Sequence, residues 1–463
     1  MNSDNDRAKS VTENPCNMCM PMGAIVPFKG IEQAMVIIHG SQGCATYMRR
    51  HMAEHYNEPI DVASSSITEQ GTIYGGEANL KKGLANLIQL YKPQVIGILS
   101  TCLAETIGED IARTAVEFQQ LYGEGCPQLI TVPTPGFQGT QNEGYFQALR
   151  NIVVQLSRST ERHERINVIV PNISPADIRE IKRMLDLMQA DYILFPDYSD
   201  TLDSPYASTY QKMPAGGTAL ADIEAMAGAR ATIQFGGTIE ENLSPGKYLQ
   251  DAFSVPLYNL PLPIGIEACD RFLELVQSLT GQEVPEILNK ERGRLLDAMI
   301  DSHKYNREGR AAIFGEPEIV YAVSKLAVEN GILPAVIATG SRNPALVAML
   351  QSLTDEWEEE PTILLEADFV MIQSDCASRQ VNVAIGSSDG RFLSEHEGIP
   401  LVRLGFPIHD RIGGQRLLSV GFAGTTVLLD RITNTLLTNK HSQYRESLYH
   451  RFYKSTDEIS DYA

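Results

Sequence analysis

Short apolar runs separated by longer amphipathic stretches recur along nearly the whole chain, and no other feature limits its fold so narrowly. Runs of strand length occupy 94–100 (QVIGILS), 128–132, 166–171 (INVIVP), 192–196, 229–235, 310–314, 334–339, 362–365 and 381–385. Between them, segments such as 78–90, 174–188, 317–330 and 343–352 carry the apolar spacing of helices. This alternation predicts parallel sheets, because a parallel pair needs a crossover and the crossover helix covers a sheet face. The runs are too many for one ordinary sheet. The expected class is therefore α/β, with three Rossmann-like domains over 1–160, 161–305 and 306–463. The charged stretch 158–165 (RSTERHER) marks the first boundary. A helix over 285–305, with Pro285 at its first position, leads into the third domain.

A chain of 463 residues can bury several cores, and 43% hydrophobic with 21% charged residues excludes wholesale disorder. Thirty-eight Lys+Arg against 58 Asp+Glu leave a net charge of −20, which argues against nucleic acid as the main partner. No apolar run approaches the roughly 20 residues of a membrane span, and the polar start MNSDNDRAKSVTEN lacks the apolar region of a secretory signal. A soluble, cytoplasmic protein without membrane or nucleic-acid partners is expected. No GxxxxGK[ST], HExxH or GxSxG occurs, and the Gly pairs at 75–76, 216–217 and 413–414 lack dinucleotide spacing and read as turns. Hydrolase chemistry loses most of its support.

Seven cysteines are present, an odd number that makes a poor disulfide framework in a cytoplasmic chain. Cys19 lies in NPCNMCMPMGA, where Pro15 and Pro21 argue against a regular helix or central strand. Cys44 lies in HGSQGC, read as a loop loosened by Gly40 and Gly43. Cys102 follows VIGILS directly, at the carboxyl end of a strand, where open α/β sheets place their ligands. Thiols in such loops suit an iron–sulfur cluster: thiolates bind iron, and free backbone N–H groups hydrogen-bond the sulfides. Zinc is the metal alternative, although only Cys16–Cys19 has the paired spacing of structural zinc sites. The same pair could form a redox dithiol, but it does not open a helix after a strand. Any single thiol could also be a small buried hydrophobe, the reading given to Cys126, Cys269 and Cys376.

Taken together, NPCNMCMPMGA, HGSQGCATYMRRH, EPIDVASSSITEQGTIYGG, YKPQVIGILSTCLAETIGEDI and TPGFQGT resemble the β-type subunit of the nitrogenase component 1 superfamily. That group includes nitrogenase β chains, the N-type subunit of the cofactor-assembly scaffold, and nitrogenase-like reductases such as methylthio-alkane reductase. GIPLVRLGFPIHDR and the stretch from ERGRLLDAMIDSHKY to RAAIFGEPE extend the resemblance over most of the chain. The separations of 25 residues from Cys19 to Cys44 and 58 from Cys44 to Cys102 look like the family spacing.

The resemblance implies an α₂β₂ heterotetramer with a homologous α-type subunit. An iron–sulfur cluster is shared at the subunit boundary: the eight-iron P-cluster in nitrogenases, a four-iron cluster in the scaffold. Electrons arrive from a separate ATP-hydrolysing iron protein and pass to a larger cofactor held in the α-type subunit. Carried over by motif, the cluster ligands of this chain are Cys19, Cys44 and Cys102. Ser41 and Tyr47 match polar positions flanking the electron path. Tyr74, in TIYGG, takes the place of an aromatic on the docking face for the iron protein. No catalytic residue is expected on this chain.

Departures from the family pattern weigh on the function. Gly136, in TPGF, stands where the family's TPSF has a serine that can ligate the oxidised P-cluster, so that hydroxyl is missing. The long N-terminal extension of the molybdenum-type β chain is missing too, and Cys16 adds a thiol that is a spare ligand or a packing residue. Both departures point to a reductase of small methylthio compounds as the leading reading. The scaffold subunit and a true nitrogenase β chain are the alternatives, and a metal-free α/β binding protein is the third. Among other residues, His39 is read as structural or as a hydrogen-bond donor near the cluster. Arg49–Arg50 are read as an interface patch or solvated surface, and 355–360 (DEWEEE) as a solvated turn. His303 and His409 lack paired ligands and are not read as metal-binding.

Overall fold

The structure, a computed structural model, describes residues 15–452 apart from Tyr210, Asp355, Glu356 and Glu358. The polar N-terminal stretch and three of the six residues of the DEWEEE run thus lie outside the described residues. Of that run, Glu359 forms ion pairs with Arg310 and Arg379 and is more than a solvated turn.

Strands β1 (Ala34–His39), β2 (Ala63–Ser64), β3 (Val95–Ser100) and β4 (Gln128–Val132) form the first sheet, in the order β2-β1-β3-β4. β5 (Ile166–Ile169), β6 (Tyr192–Phe195), β7 (Ala231–Phe235) and β8 (Leu257–Leu260) form the second, in the order β6-β5-β7-β8. The third holds β9 (Arg310–Phe314), β10 (Leu333–Ala338), β11 (Thr362–Leu364), β12 (Val383–Gly386) and β13 (Leu401–Arg403), ordered β11-β10-β9-β12-β13. All described pairings between these strands are parallel. The α/β class and its three parallel sheets flanked by helices are as the alternation requires. The nine sequence-predicted runs appear with edges shifted by at most two residues, and β1, β2, β8 and β13 join them.

The central strands are buried on both faces, as parallel strands must be. Met35 and Ile37 of β1 meet Leu80 and Leu84 of the Glu77–Tyr91 helix on one face. Val36 and Ile38 meet the core that holds Ile25 and Phe28 of the Met20–Lys29 helix on the other. Phe28 lies flat against Gly97 of β3, where a Cβ would fall 2.6 Å from the ring. One apolar cluster continues from the first sheet through Val168 and Ile233 to Ile313 and Leu429, so the three sheets share a core. The C-terminal Gly421–Phe452 helix returns over it, with Thr433 donating to Asn306 at 2.8 Å. Pro285 stands one place before the helix Glu286–Asn306, with φ −70° and ψ 150°, rather than at its first position. Its extended ψ caps the helix instead of starting it.

Where the three sheets meet, the chain buries polar groups against each other. Asn172, after β5, donates to Glu316, after β9, at 3.0 Å. Ile408 N–H donates to His55 Nδ1 at 2.8 Å, and burial holds that imidazole down to about 3, uncharged. Asp177 accepts from the N–H groups of Ser419 and Val420. Burial pushes the Glu316 carboxyl up from 4.5 to about 8, with the nearby charge of Glu143 adding to the effect and Asn172 opposing it. A carboxyl raised in the folded state stabilises the fold below its ordinary value and loses that contribution as pH climbs towards 8. Glu316→Gln should therefore remove a stability slope of up to about 1.4 kcal/mol per pH unit across that window, read as unfolding midpoints against pH. A mutant profile parallel to wild type contradicts the assignment.

Candidate functional site

Strands β1, β3 and β4 are neighbours, and the chain leaving their carboxyl ends carries Cys44, Cys102 and Gly136 in turn. Parallel strands side by side deliver three consecutive connections to one edge of the sheet, the place where such folds bind ligands. Each cysteine is more regularly held than its Gly- and Pro-rich surroundings suggest. Cys44 lies in the first turn of the Gln42–Tyr56 helix rather than in a loop, because Ser41, with φ −70° and ψ 155°, turns the chain into the helix at once. Cys102 opens the short Cys102–Thr106 helix, which Thr101 caps by accepting from Ala104 N–H. Cys19 stands immediately before the Met20–Lys29 helix. Pro21 begins that helix instead of preventing it, since a first-turn residue has no N–H bond to lose.

Cys19 comes from a different part of the chain and is brought in by close contact between two backbones. The Met20–Lys29 helix crosses the Gln141–Leu156 helix where both present glycine. A Cβ on Gly23 would fall 1.7 Å from the Gln141 carbonyl oxygen, and one on Gly144 would fall 1.9 Å from that of Met20. Around this crossing, Gln141 N–H donates to Met18 O at 3.0 Å, and Cys19 pairs with Thr140 in an isolated antiparallel bridge. On the far side, Cys16 N–H donates to Ala367 O, and Asn17 donates to Gly340 O at 3.1 Å. The Cys16–Cys19 segment is clamped between the Gln141 helix and the carboxyl-end loops of the third sheet.

Two of the thiols, Cys19 and Cys102, then meet at Gly136, and Cys44 lies near enough for its charge to act on Cys19. Gly136 N–H donates to Cys102 Sγ at 3.1 Å, and a Cβ at this position would fall 2.6 Å from Cys19 Sγ and 3.4 Å from Cys102 Sγ. The Ser41 hydroxyl donates to Cys44 Sγ at 3.6 Å. Burial, and then the charges of Cys102 and Cys44, push the Cys19 thiol up to about 11, while the Met20 N–H opposes them. Three thiolates cannot accumulate here without cations to offset them. The donor set is soft sulfur, the hollow exists because residue 136 has no side chain, and polar hydrogens point at the sulfurs. These features fit an iron–sulfur cluster. Among the described residues no three Cys, His, Asp or Glu side chains close on a single metal ion. Cys102 is exposed, and Cys19 and Cys44 are half-buried, so the hollow opens towards the surface.

Tyr47, one helical turn beyond Cys44, is raised by burial and then by the charges of Asp389 and Cys19, which places it between the thiols and the third sheet. Its ring meets His51 edge-on at 4.3 Å. Tyr74 is not gathered with the thiols; it ends the Glu69–Tyr74 helix with its side chain projecting outward. His39, the last residue of β1, is fully buried between Ser65 and Glu109. Cys16 packs among Phe314 and Ala338 of the third sheet and Phe369 of the helix Phe369–Ser378, and burial pushes its thiol up to about 12. Cys269 and Cys376 are buried and Cys126 partly so, as packing residues. Arg49 is held by Ile60 O and Asp61, and Arg50 by Glu54. Sequence reasoning did not single out Gly23, Gly144, Glu109 or the exposed Phe137 beside the hollow. For the two helical glycines, a signal was present in the recurrence of Gly within amphipathic helices, which costs stability unless a close approach requires it. Gly144→Ala should separate the crossing helices and lower stability by about 1–3 kcal/mol, measured by thermal unfolding, while speeding alkylation of Cys19. An unchanged midpoint and labelling rate contradict the crossing as the support of Cys19.

Residues 19–437 match the family model described as nitrogenase component 1 type oxidoreductase. The nitrogenase molybdenum-iron protein beta chain of Methanococcus maripaludis is 37% identical over 447 residues, covering 93% of this chain and 96% of the relative. That of Clostridium pasteurianum is 34% identical over 434 residues, with 93% and 94% covered. That of Frankia alni is 34% identical over 446 residues, but only 83% of the relative is covered. A chain in the solved structure of nitrogenase Cp1 at pH 6.5 superposes with a TM-score of 0.90 at 33% identity, covering 94% of this chain and 95% of that one.

Proposed function

The chain belongs to the nitrogenase component 1 type oxidoreductase family, and from that premise we propose that it is a nitrogenase β-type subunit whose Cys19, Cys44 and Cys102 hold one side of a cluster shared with a homologous α-type subunit. The family binds iron–sulfur clusters, the P-cluster among them. The single observation carrying the residue assignment is the meeting of Cys19 and Cys102 at a side-chain-free Gly136, with Cys44 near enough for its charge to act on Cys19. When bound, such a cluster accepts and passes electrons one at a time. Gly136 N–H and the Ser41 hydroxyl donate to thiolate sulfur, which favours the more reduced, more negative state. Tyr47 screens the thiols from the polar cleft formed with Asp389 and His409. The open side of the hollow receives the α-type subunit, completing an α₂β₂ assembly that takes electrons from an ATP-hydrolysing iron protein docking at Tyr74.

The relatives shift the substrate reading away from methylthio compounds. Beta chains named for the molybdenum-iron nitrogenase align over 94–96% of their own length, whereas 83% of the Frankia alni chain is covered. The named nitrogenase β chains therefore differ in length among themselves, and length does not argue against nitrogenase. Gly136 remains a departure, but it removes a ligand of one oxidation state and leaves the thiol set intact. Reduction of dinitrogen by the complex is the reading these points support.

Two outcomes follow. Cys44→Ala, purified anaerobically with its α-type partner, should lose about half or more of the boundary-cluster iron, because a thiolate of the shared set is gone; wild-type iron content and electron transfer contradict the assignment. The intact complex, supplied with iron protein, ATP and reductant, should release ammonia from dinitrogen. Thiol and hydrocarbon release from methyl thioethers without ammonia overturns the substrate reading. Negligible turnover, with donation of a bound cluster to a cofactor-free nitrogenase, overturns it in favour of a scaffold.

A further inference from the structure

The Glu69–Tyr74 helix ends in an apolar tip, with Ile73 75% and Tyr74 81% exposed. Behind the tip, Gly75, at φ 96°, turns the chain, and Gly76 caps the next helix. Gly76 N–H donates to Glu109 Oε1 at 2.6 Å. The other oxygen of the same carboxylate accepts from His39 Nε2 at 3.0 Å, and His39 Nδ1 meets Ser65 Oγ at 2.9 Å. Ser65 Oγ in turn accepts from Gly40 N–H at 3.1 Å. A carboxylate only accepts, so His39 donates from Nε2–H to Glu109, and Ser65 Oγ, which accepts from Gly40 N–H, shares one proton with His39 Nδ1. Gly40 leads directly into Ser41 and the helix turn of Cys44. A second branch reaches Cys102: Glu109 N–H donates to Ala104 O at 2.9 Å, and Thr101, which caps the Cys102 helix, donates to His39 O at 3.0 Å.

This chain of contacts has little slack. His39 is 0% and Glu109 9% exposed, so no water replaces a broken link without cost. A Cβ on Gly76 would fall 3.0 Å from the His39 ring, and one on Gly40 would fall 2.4 Å from the Thr101 hydroxyl. The tip therefore cannot shift without moving Glu109. Glu109 cannot move without disturbing the backbone that carries two of the three thiols. His39 and Glu109 meet Ser65 and Gly76 rather than a cysteine sulfur.

We propose that Glu109 and His39 are positioning residues that couple a protein docked on the Ile73–Tyr74 tip to the electron affinity of the group held by Cys44 and Cys102. This rests on the reading of the tip as the iron-protein docking face and of the thiols as cluster ligands. Coupling of this kind is reciprocal: if docking changes the electron affinity of the cluster, the oxidation state of the cluster changes the docking affinity by the same factor.

The experiment uses the whole complex, co-purified without oxygen, and an iron protein locked with a non-hydrolysable ATP analogue. The docking affinity is measured with the boundary cluster reduced and then oxidised. In wild type the two affinities should differ by about fivefold or more, within the usual range of coupled sites. Glu109→Ala should bring the ratio to within about twofold of one while keeping the cluster iron. Glu109→Gln should restore it, because the amide oxygen still accepts from Gly76 and the amide N–H donates to His39 Nε2 once the imidazole proton sits on Nδ1, where Ser65 Oγ accepts it. Ser65→Ala, which breaks the chain at a buried point away from the surface, should behave like Glu109→Ala and guards against a folding defect in either variant. An undiminished ratio in iron-replete Glu109→Ala or Ser65→Ala overturns the link, as does a wild-type ratio of one. A wild-type complex without iron, or one that does not dock, overturns instead the functional reading beneath it.

Discussion

The contact on which this site depends is between two backbones. Gly23 and Gly144 let the Met20–Lys29 and Gln141–Leu156 helices approach until a single methyl group at either position would strike the other helix's carbonyl oxygen. That approach carries Cys19 to the edge of a sheet it does not belong to, and it sets Gly136, a few residues before the second helix, against its sulfur. Cys44 and Cys102 need no such device, because neighbouring strands β1 and β3 deliver them to the same edge. A thiol set gathered in this way is held in place before any metal arrives. Positioning by helices and strands, rather than by free loops, keeps the distances between sulfurs fixed as electrons come and go.

Electrostatics then decides what the hollow can hold. Three thiols within range of one another raise the proton affinity of Cys19, and burial raises it further. Protonation or a bound metal relieves that repulsion, and a metal that binds there displaces the protons. Gly136 N–H and the Ser41 hydroxyl add polar hydrogens aimed at sulfur without adding charge. On the proposed reading, the chain's own contribution is geometry and polarity, and the open side of the hollow is where a partner would complete the enclosure.

Much of this was legible in the sequence, and the parts that were not share a cause. Alternation of apolar runs gave nine of the thirteen strands, because a parallel strand buried on both faces reads as an uninterrupted apolar stretch. β2, at two residues, is too short to register, β13 (LVR) carries a charged residue within its three, and β8 is half exposed. β1 had the signal in AMVIIH and was passed over beside the Gly-rich HGSQGC string. The three cysteines stood out through their motifs. Their seats did not, since Pro21 and Gly43 look like helix breakers and instead occupy first turns, where such residues cost little. Glu109 and Gly144 were invisible for another reason: their partners lie 33 to 124 residues away along the chain, at Gly76 and Met20, and no local pattern announces them.

The central claim is that Cys19, Cys44 and Cys102 jointly hold iron at a boundary with a second subunit. A crystal structure of the oxygen-free complex, with anomalous scattering recorded on both sides of the iron absorption edge, tests it most directly. The account predicts several iron positions clustered beside Gly136, with all three sulfurs of this chain at thiolate-bonding distance and the remaining ligands from the partner. Iron sited elsewhere, or a lone zinc on the Cys16–Cys19 pair, contradicts it.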